Sequence, residues 1–146
     1  MGPLPRTAYE IRSMARLLGA DEKHIHLGNK ATEQAIKTAD LSSIDVLAFS
    51  THSLTIEEAK GFGNEAALVF TPPERPSNVN DDGLLKASEI AGLDLNANWV
   101  LLSGSHTASS VIDSSQDWLT GLASSFFYAG AKGVLGSHWN VSQARP

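Results

Sequence analysis

The sequence predicts an α/β domain built on a mostly parallel sheet, and three observations carry that expectation. Val46 to Thr51 and Trp99 to Ser103 are nearly continuous apolar runs of strand length, the pattern of strands covered on both faces. Segments with apolar residues at helical spacing alternate with such runs, as in right-handed strand–helix–strand units. The 146 residues, 42% hydrophobic and 18% charged, suffice for one core and not for two independent ones. A single domain over residues 1–146 follows.

The elements read in order as follows. From Thr7 to Leu18 the residues Tyr9, Ile11, Met14, Ala15, Leu17 and Leu18 recur at helical spacing, with Gly19 as terminator. His24-Ile25-His26-Leu27 before Gly28 reads as a short strand with both histidines on one face. A helix then starts near Ala31-Thr32-Glu33 and runs to Thr38 or Ala39. The run from Val46 is a buried strand ending at His52, and Ala66 to Phe70 is a further strand. Thr71 to Asp82, rich in Pro, Asn and Asp, reads as an exposed loop. Gly83 to Ile90 reads as a turn entering a short helix, and Trp99 to Ser103 as the second buried strand. The helix around Trp118 to Ala129 follows, its Trp118, Phe126, Phe127 and Tyr128 read as packing residues. Gly133 to Ser137 is the last strand, ending near His138 and Trp139. There is no internal repeat.

Composition narrows the function. A formal charge of -5 without a Lys/Arg-dense stretch disfavours nucleic acid, because phosphate binding needs clustered cations. Zero cysteines exclude disulfides, thiolate zinc ligands and a cysteine nucleophile in the chain as written. Neither a signal peptide nor a membrane-spanning run is visible, so the expected location is cytoplasmic.

In open parallel sheets the functional crevice lies outside the carboxyl ends of the strands. His52, Ser105, His106 and His138 fall at that edge. A hydroxyl at one strand end and an imidazole at its neighbour's are the elements of nucleophile–base chemistry, although both residues are also common in loops. Asp81 and Asp82 read as solvated or capping carboxylates of a turn. With Glu57 and Glu58 they are the acidic pairs that would favour a basic side chain in a peptide ligand.

The stretch Phe49-Ser50-Thr51-His52, then Asp82-Gly83-Leu84-Leu85-Lys86-Ala87-Ser88-Glu89-Ile90, Val100-Leu101-Leu102-Ser103-Gly104-Ser105-His106-Thr107 and Gly133-Val134-Leu135-Gly136-Ser137-His138-Trp139, resembles the CHAT domain. This is the caspase-like domain often joined to tetratricopeptide repeats. The resemblance runs from Leu4-Pro5-Arg6-Thr7, with Glu10-Ile11 beyond it, through Gly28 and Ala31-Thr32-Glu33 to Trp139 and Val141. It implies a caspase–hemoglobinase three-layer sandwich and a clan of cysteine endopeptidases with a His–Cys dyad. By position that dyad falls on His52 and Ser105. The resemblance also implies that both flanks of the family's domain are missing here, and that a tetratricopeptide-repeat region is a partner.

Three departures qualify the implied activity. Serine stands at the nucleophile position, and a hydroxyl, unlike a thiol, stays protonated at neutral pH and needs an aligned base and usually a third group. The family's glycine after the histidine, a backbone oxyanion donor together with the amide of residue 105, is Ser53 here. His106 and His138 replace residues that are commonly asparagine and aliphatic. With His52 they make a conceivable three-nitrogen zinc set, against the plainer reading of surface or packed histidines. Trp139 and His106 are candidates to line a substrate groove, and Trp139 equally fits a packing role. The expectation is therefore a binding or scaffold module for a protein or peptide, without cofactor, whose peptidase chemistry is lost or silenced at Ser105. The alternative is an active hydrolase: a cysteine endopeptidase if Ser105 replaces a natural cysteine, a serine variant with His52 as base, or a zinc enzyme.

Overall fold

A computed structural model describes residues 6–75, 81–106 and 115–140, and of 104–106, 115–120 and 137–140 the backbone path alone. The helix expected first is α1 (Thr7–Leu18), closed by Gly19 in the left-handed region at φ 71°. There Gly19 and Ala20 donate to the carbonyls of Arg16 and Ala15 at 3.3 and 2.8 Å, satisfying the last turn without a side-chain cap. Helix α2 (Glu33–Thr38) begins where Thr32 Oγ1 accepts from the Ala35 amide at 3.1 Å. The strands are β1 (Val46–Ser50), β2 (Ser53–Leu54), β3 (Ala67–Val69), β4 (Leu84–Lys86), β5 (Trp99–His106) and β6 (Val134–Asn140). Helices α3 (Ala87–Ala91) and α4 (Ser115–Ala129) complete the fold.

Four expectations are corrected. His24 to Leu27 is no strand: a 3-10 turn covers Glu22–His24, and extended chain follows. Its alternation is real, with Ile25 and Leu27 half-buried and both histidines exposed, but no ladder takes it up. Leu84 to Lys86 is a strand and not only a turn, because it pairs antiparallel with β3 before α3 starts. Phe127 and Tyr128 are 50% and 83% exposed and do not pack. Asp81 is buried at 5% exposure and is not a solvated carboxylate.

The sheet is mixed. Strand β5 pairs parallel with β6 along one edge, from Val100↔Val134 to His106↔Asn140. Its other edge carries β1 and β2, both parallel to it, and β2 continues into antiparallel β3 and β4. Strands β1, β5 and β6 contain the apolar runs read from sequence, whereas the two-residue parallel strand β2 does not. The antiparallel pair arises from short segments, Ala67–Val69 and Leu84–Lys86, joined by the Pro-rich loop.

Helices lie on both faces. Phe49 and Ser50 are consecutive in β1 and so lie on opposite sides of the pleat. Phe49 stacks on Phe126 of α4 with ring centroids 5.6 Å apart, whereas Ser50 Oγ donates to Glu10 of α1 at 2.9 Å. The α3/α4 side holds the core, with Leu85, Ile90, Val100, Leu122 and Phe126 all fully buried. Gly130, at φ 119°, lets the chain turn from α4 towards β6, and a Cβ there would meet the Leu95 carbonyl oxygen at 2.1 Å.

A buried charge network fastens the loop side to this core. Glu33, 1% exposed, accepts from Lys37 and, at 3.0 Å, from the Gly83 amide. Lys37 also donates to Glu89 at 2.7 Å, and Glu89 caps α3 through the Lys86 amide at 2.9 Å. Burial raises the Glu33 pKa above the usual carboxylate range, although the Lys37 and Gly83 hydrogen bonds pull the other way. Burial works against the Lys37 ammonium, but its bonds to Glu33 and Glu89 outweigh that and hold its pKa above the ordinary value.

Candidate functional site

The carboxyl ends of β1, β5 and β6 form one edge of the parallel sheet, and the residues singled out from sequence are distributed along it. Val46 faces Trp99, Ser50 faces Ser103 and Ser53 faces His106, all at one constant offset. The ladder continues past Ser50 through the Thr51 amide, which donates to the Ser103 carbonyl at 3.1 Å. That constant offset sets His52 across from Ser105, and the next ladder pairs Ser105 with Trp139. His52, Ser105 and Trp139 thus occupy one row across three strands, with neighbouring backbones about 4.8 Å apart.

His52 is half-buried and held by its neighbours. Its carbonyl accepts from the Val69 amide at 2.9 Å, and the preceding Thr51 donates its hydroxyl to the Val69 carbonyl. Residues 51 and 52, bonded to β3, separate β1 from β2, which both pair with β5 in one register, so the imidazole is carried at a fixed break along one edge of β5. Ser53 lies between two ladders, facing His106 on β5 and Leu68 on β3. It is 1% exposed, and its hydroxyl has no hydrogen-bond partner among the described residues.

The other histidines fall in different rows. His138 faces Gly104, one row before the His52–Ser105 row, and His106 faces Ser53, one row after it. Successive rows of a pleated sheet alternate in face, so the ladder offers three imidazoles no common row. Among the described residues no group of three or more His, Asp and Glu is placed to hold a metal ion. The side chains of Ser105, His106, His138 and Trp139 lie outside the described residues.

The acidic pairs read from sequence are engaged elsewhere. Glu58 accepts from the Thr55 amide and hydroxyl at 2.8 and 3.1 Å, and Glu57 pairs with Lys60. Asp82 pairs with Lys86 at 2.8 Å and accepts from the Leu84 amide at 3.0 Å. Sequence reasoning passed over a carboxylate that touches both strands just before the row. Glu10 Oε2 accepts from Ser50 Oγ at 2.9 Å and from Ser103 Oγ at 3.3 Å, two residues before His52 and Ser105 in their strands. No local pattern announces this contact, because the partners stand 40 and 93 positions away in the chain.

Among the described residues no helix is long and apolar enough to cross a membrane. The family model described as the CHAT domain matches residues 1–146. No curated protein and no solved structure matches the chain.

Proposed function

The chain belongs to the CHAT domain family, and from that premise we propose that it is a caspase-like peptide-binding module whose peptidase site is silenced by serine at the nucleophile position. The observation that carries the reading is the register of β1, β2 and β5, which sets His52 across from Ser105 at the carboxyl edge of the sheet. A His–Cys dyad needs an imidazole and a thiol within reach of one carbonyl carbon, and neighbouring parallel strands supply that proximity. The caspase–hemoglobinase sandwich belongs to the same reading, supported by helices on both faces of the sheet.

Serine at position 105 changes the chemistry more than the geometry. A thiol beside an imidazole ionises near neutral pH, whereas a serine hydroxyl must be deprotonated as it attacks. Triads manage this with a carboxylate that orients the histidine. Glu10, a carboxylate on the α1 side, is bonded to Ser50 and Ser103, two residues before the row along the strands. The amide of Ser53 sits in a residue with strand partners on both sides, which restricts its use as an oxyanion donor. The partner of such a module is an extended peptide or protein segment, with Trp139, in the Ser105 row, as a candidate wall of the groove. A tetratricopeptide-repeat segment and a cytoplasmic setting belong to the same proposal.

The test is cleavage of a diverse peptide library by the wild type, Ser105→Cys, and Ser105→Cys with His52→Ala. In Ser105→Cys the sulfur bonds to the peptide carbonyl carbon while His52 holds the thiol proton. Collapse expels the amine, which takes that proton, and water then hydrolyses the thioester. The expected result is cutting by Ser105→Cys alone, at least 100-fold above wild type and above the histidine variant. Cutting by wild type would overturn the silencing. A folded Ser105→Cys protein that cuts nothing would overturn the peptidase-derived site.

A further inference from the structure

We propose that Glu10 forms the floor of a subsite for a lysine or arginine side chain of a bound peptide. The inference rests on the peptide-binding reading above and names its ligand class. On the α1 face of the sheet lies an open groove of about 370 Å³, lined by Tyr9, Glu10, Met14, Leu101, Ser103 and Leu135 among others. Among the described residues its lining is apolar apart from hydroxyls, and Glu10 is the one carboxylate in it. Apolar walls around a single anionic group match a side chain with a long methylene stem and a cationic head.

Three features of Glu10 favour this ligand. Both hydrogen bonds it makes with described residues fall on Oε2, from Ser50 and Ser103, which fixes the carboxylate and leaves Oε1 as an acceptor. Among the described residues no Lys or Arg pairs with it, whereas Glu33, Glu57, Asp82 and Glu89 all have a lysine within 4.0 Å. The third is reach. Glu10 touches the row of Ser50 and Ser103, and the His52–Ser105 row lies two residues further on, about 7 Å along the strands. A lysine side chain spans roughly 6 Å from Cα to Nζ over five ordinary bonds, and arginine reaches further. A peptide whose backbone crosses the His52–Ser105 row can therefore lay one basic side chain back along the sheet to Glu10. Rows two apart share a face of the sheet, so the path does not cross the pleat. Of the acidic residues that sequence singled out for a basic ligand, Glu57, Glu58 and Asp82 are bonded within the chain and Asp81 is buried, and Glu10 takes that role.

The test is binding, so that its outcome does not depend on cleavage. Two blocked tetrapeptides differing only by lysine or norleucine at one position are titrated into the wild-type chain and into Glu10→Gln. Binding is read by calorimetry or chemical-shift change at low and at 0.5 M salt. Glutamine keeps an oxygen acceptor for the two serines, and thermal melting checks that the fold is retained. The expected result is at least tenfold tighter binding of the lysine peptide to wild type. That preference should fall at high salt and be absent in Glu10→Gln, whose affinity for the norleucine peptide stays at the wild-type level. Equal binding of both peptides by wild type, or a lysine preference that survives in Glu10→Gln, overturns the subsite. If the lysine preference holds and depends on Glu10 while Ser105→Cys cuts nothing, the subsite stands and the peptidase-derived reading fails. If Ser105→Cys cuts without regard to basic residues and wild type shows no preference, the reverse is true.

Discussion

The two faces of the sheet divide the work of this domain unequally. On the α3/α4 face, Val100, Leu102, Leu122 and Phe126 are at 2% exposure or less, and the Glu33–Lys37–Glu89 network ties α2 and the 81–83 loop to the same side. On the α1 face, no residue of α1 is fully buried, and Leu17 and Leu135 remain 86% and 61% exposed. There the helix is joined to the sheet through Glu10 and two serines. One face is a core, and the other is a surface that positions groups. The difference teaches where substitutions will be felt as lost stability and where as lost binding.

The sharpest way to break this contrast is a pair of truncations. Phe126→Ala removes a fully buried ring that packs on Phe49 and should cost about 4 kcal/mol in denaturant unfolding. Leu17→Ala should change stability by no more than about 0.5 kcal/mol. Similar losses from both would mean that α1 is a core element after all. The next effect concerns the charge network. Glu33→Ala leaves the Gly83 amide without its acceptor and takes one carboxylate partner from Lys37, and should cost about 3 kcal/mol.

The smallest effect is a pH dependence. Burial pushes the Asp82 pKa up, but the Lys86 bond and the Leu84 amide outweigh it, so the carboxyl titrates below its ordinary value of 3.8. A lowered folded-state pKa means that the ionised group stabilises the fold above the unfolded-state value. Asp82→Asn should therefore be less stable than wild type at pH 7, by about 0.5 kcal/mol for so solvated a pair. The gap should close as the pH falls below about 3.8, through the lowered pKa. A gap independent of pH would show that the lost interaction was not the charge.

Much of this fold was legible because its longer parallel strands contain nearly continuous apolar runs. The runs from Val46 and from Trp99 to Ser103 could be read directly, as could α1 with its glycine stop and the start of α2 near Thr32. What escaped is pairing that depends on a partner far along the chain. His24 to Leu27 alternates like a strand yet finds no ladder, and Leu84–Lys86, three residues long, becomes a strand only beside β3. The candidate row was half legible. His52 and Ser105 are marked by their places at strand ends and by the family's motifs, but their placement opposite one another depends on register, which no local pattern encodes. The acidic residues were ranked by adjacency in sequence, and so Glu57, Glu58, Asp81 and Asp82 stood out while Glu10 did not. Partnership decides the matter, and it is visible only once α1 lies across Ser50 and Ser103.

The account turns on His52 and Ser105 being neighbours across two parallel strands, and the absence of any native cysteine allows that to be measured directly. A chain carrying His52→Cys and Ser105→Cys, treated with a mild oxidant, should close an internal disulfide, read by intact mass and by protection from alkylation. Neighbouring strands bring Cα atoms to about 5 Å, inside the range a disulfide spans. Ser50→Cys with Ser103→Cys, a directly paired position in the same ladder, serves as reference. Closure of both pairs is the predicted result. Closure of the reference pair while residues 52 and 105 stay reduced would contradict the shared row, and with it the dyad geometry from which the proposed function is argued.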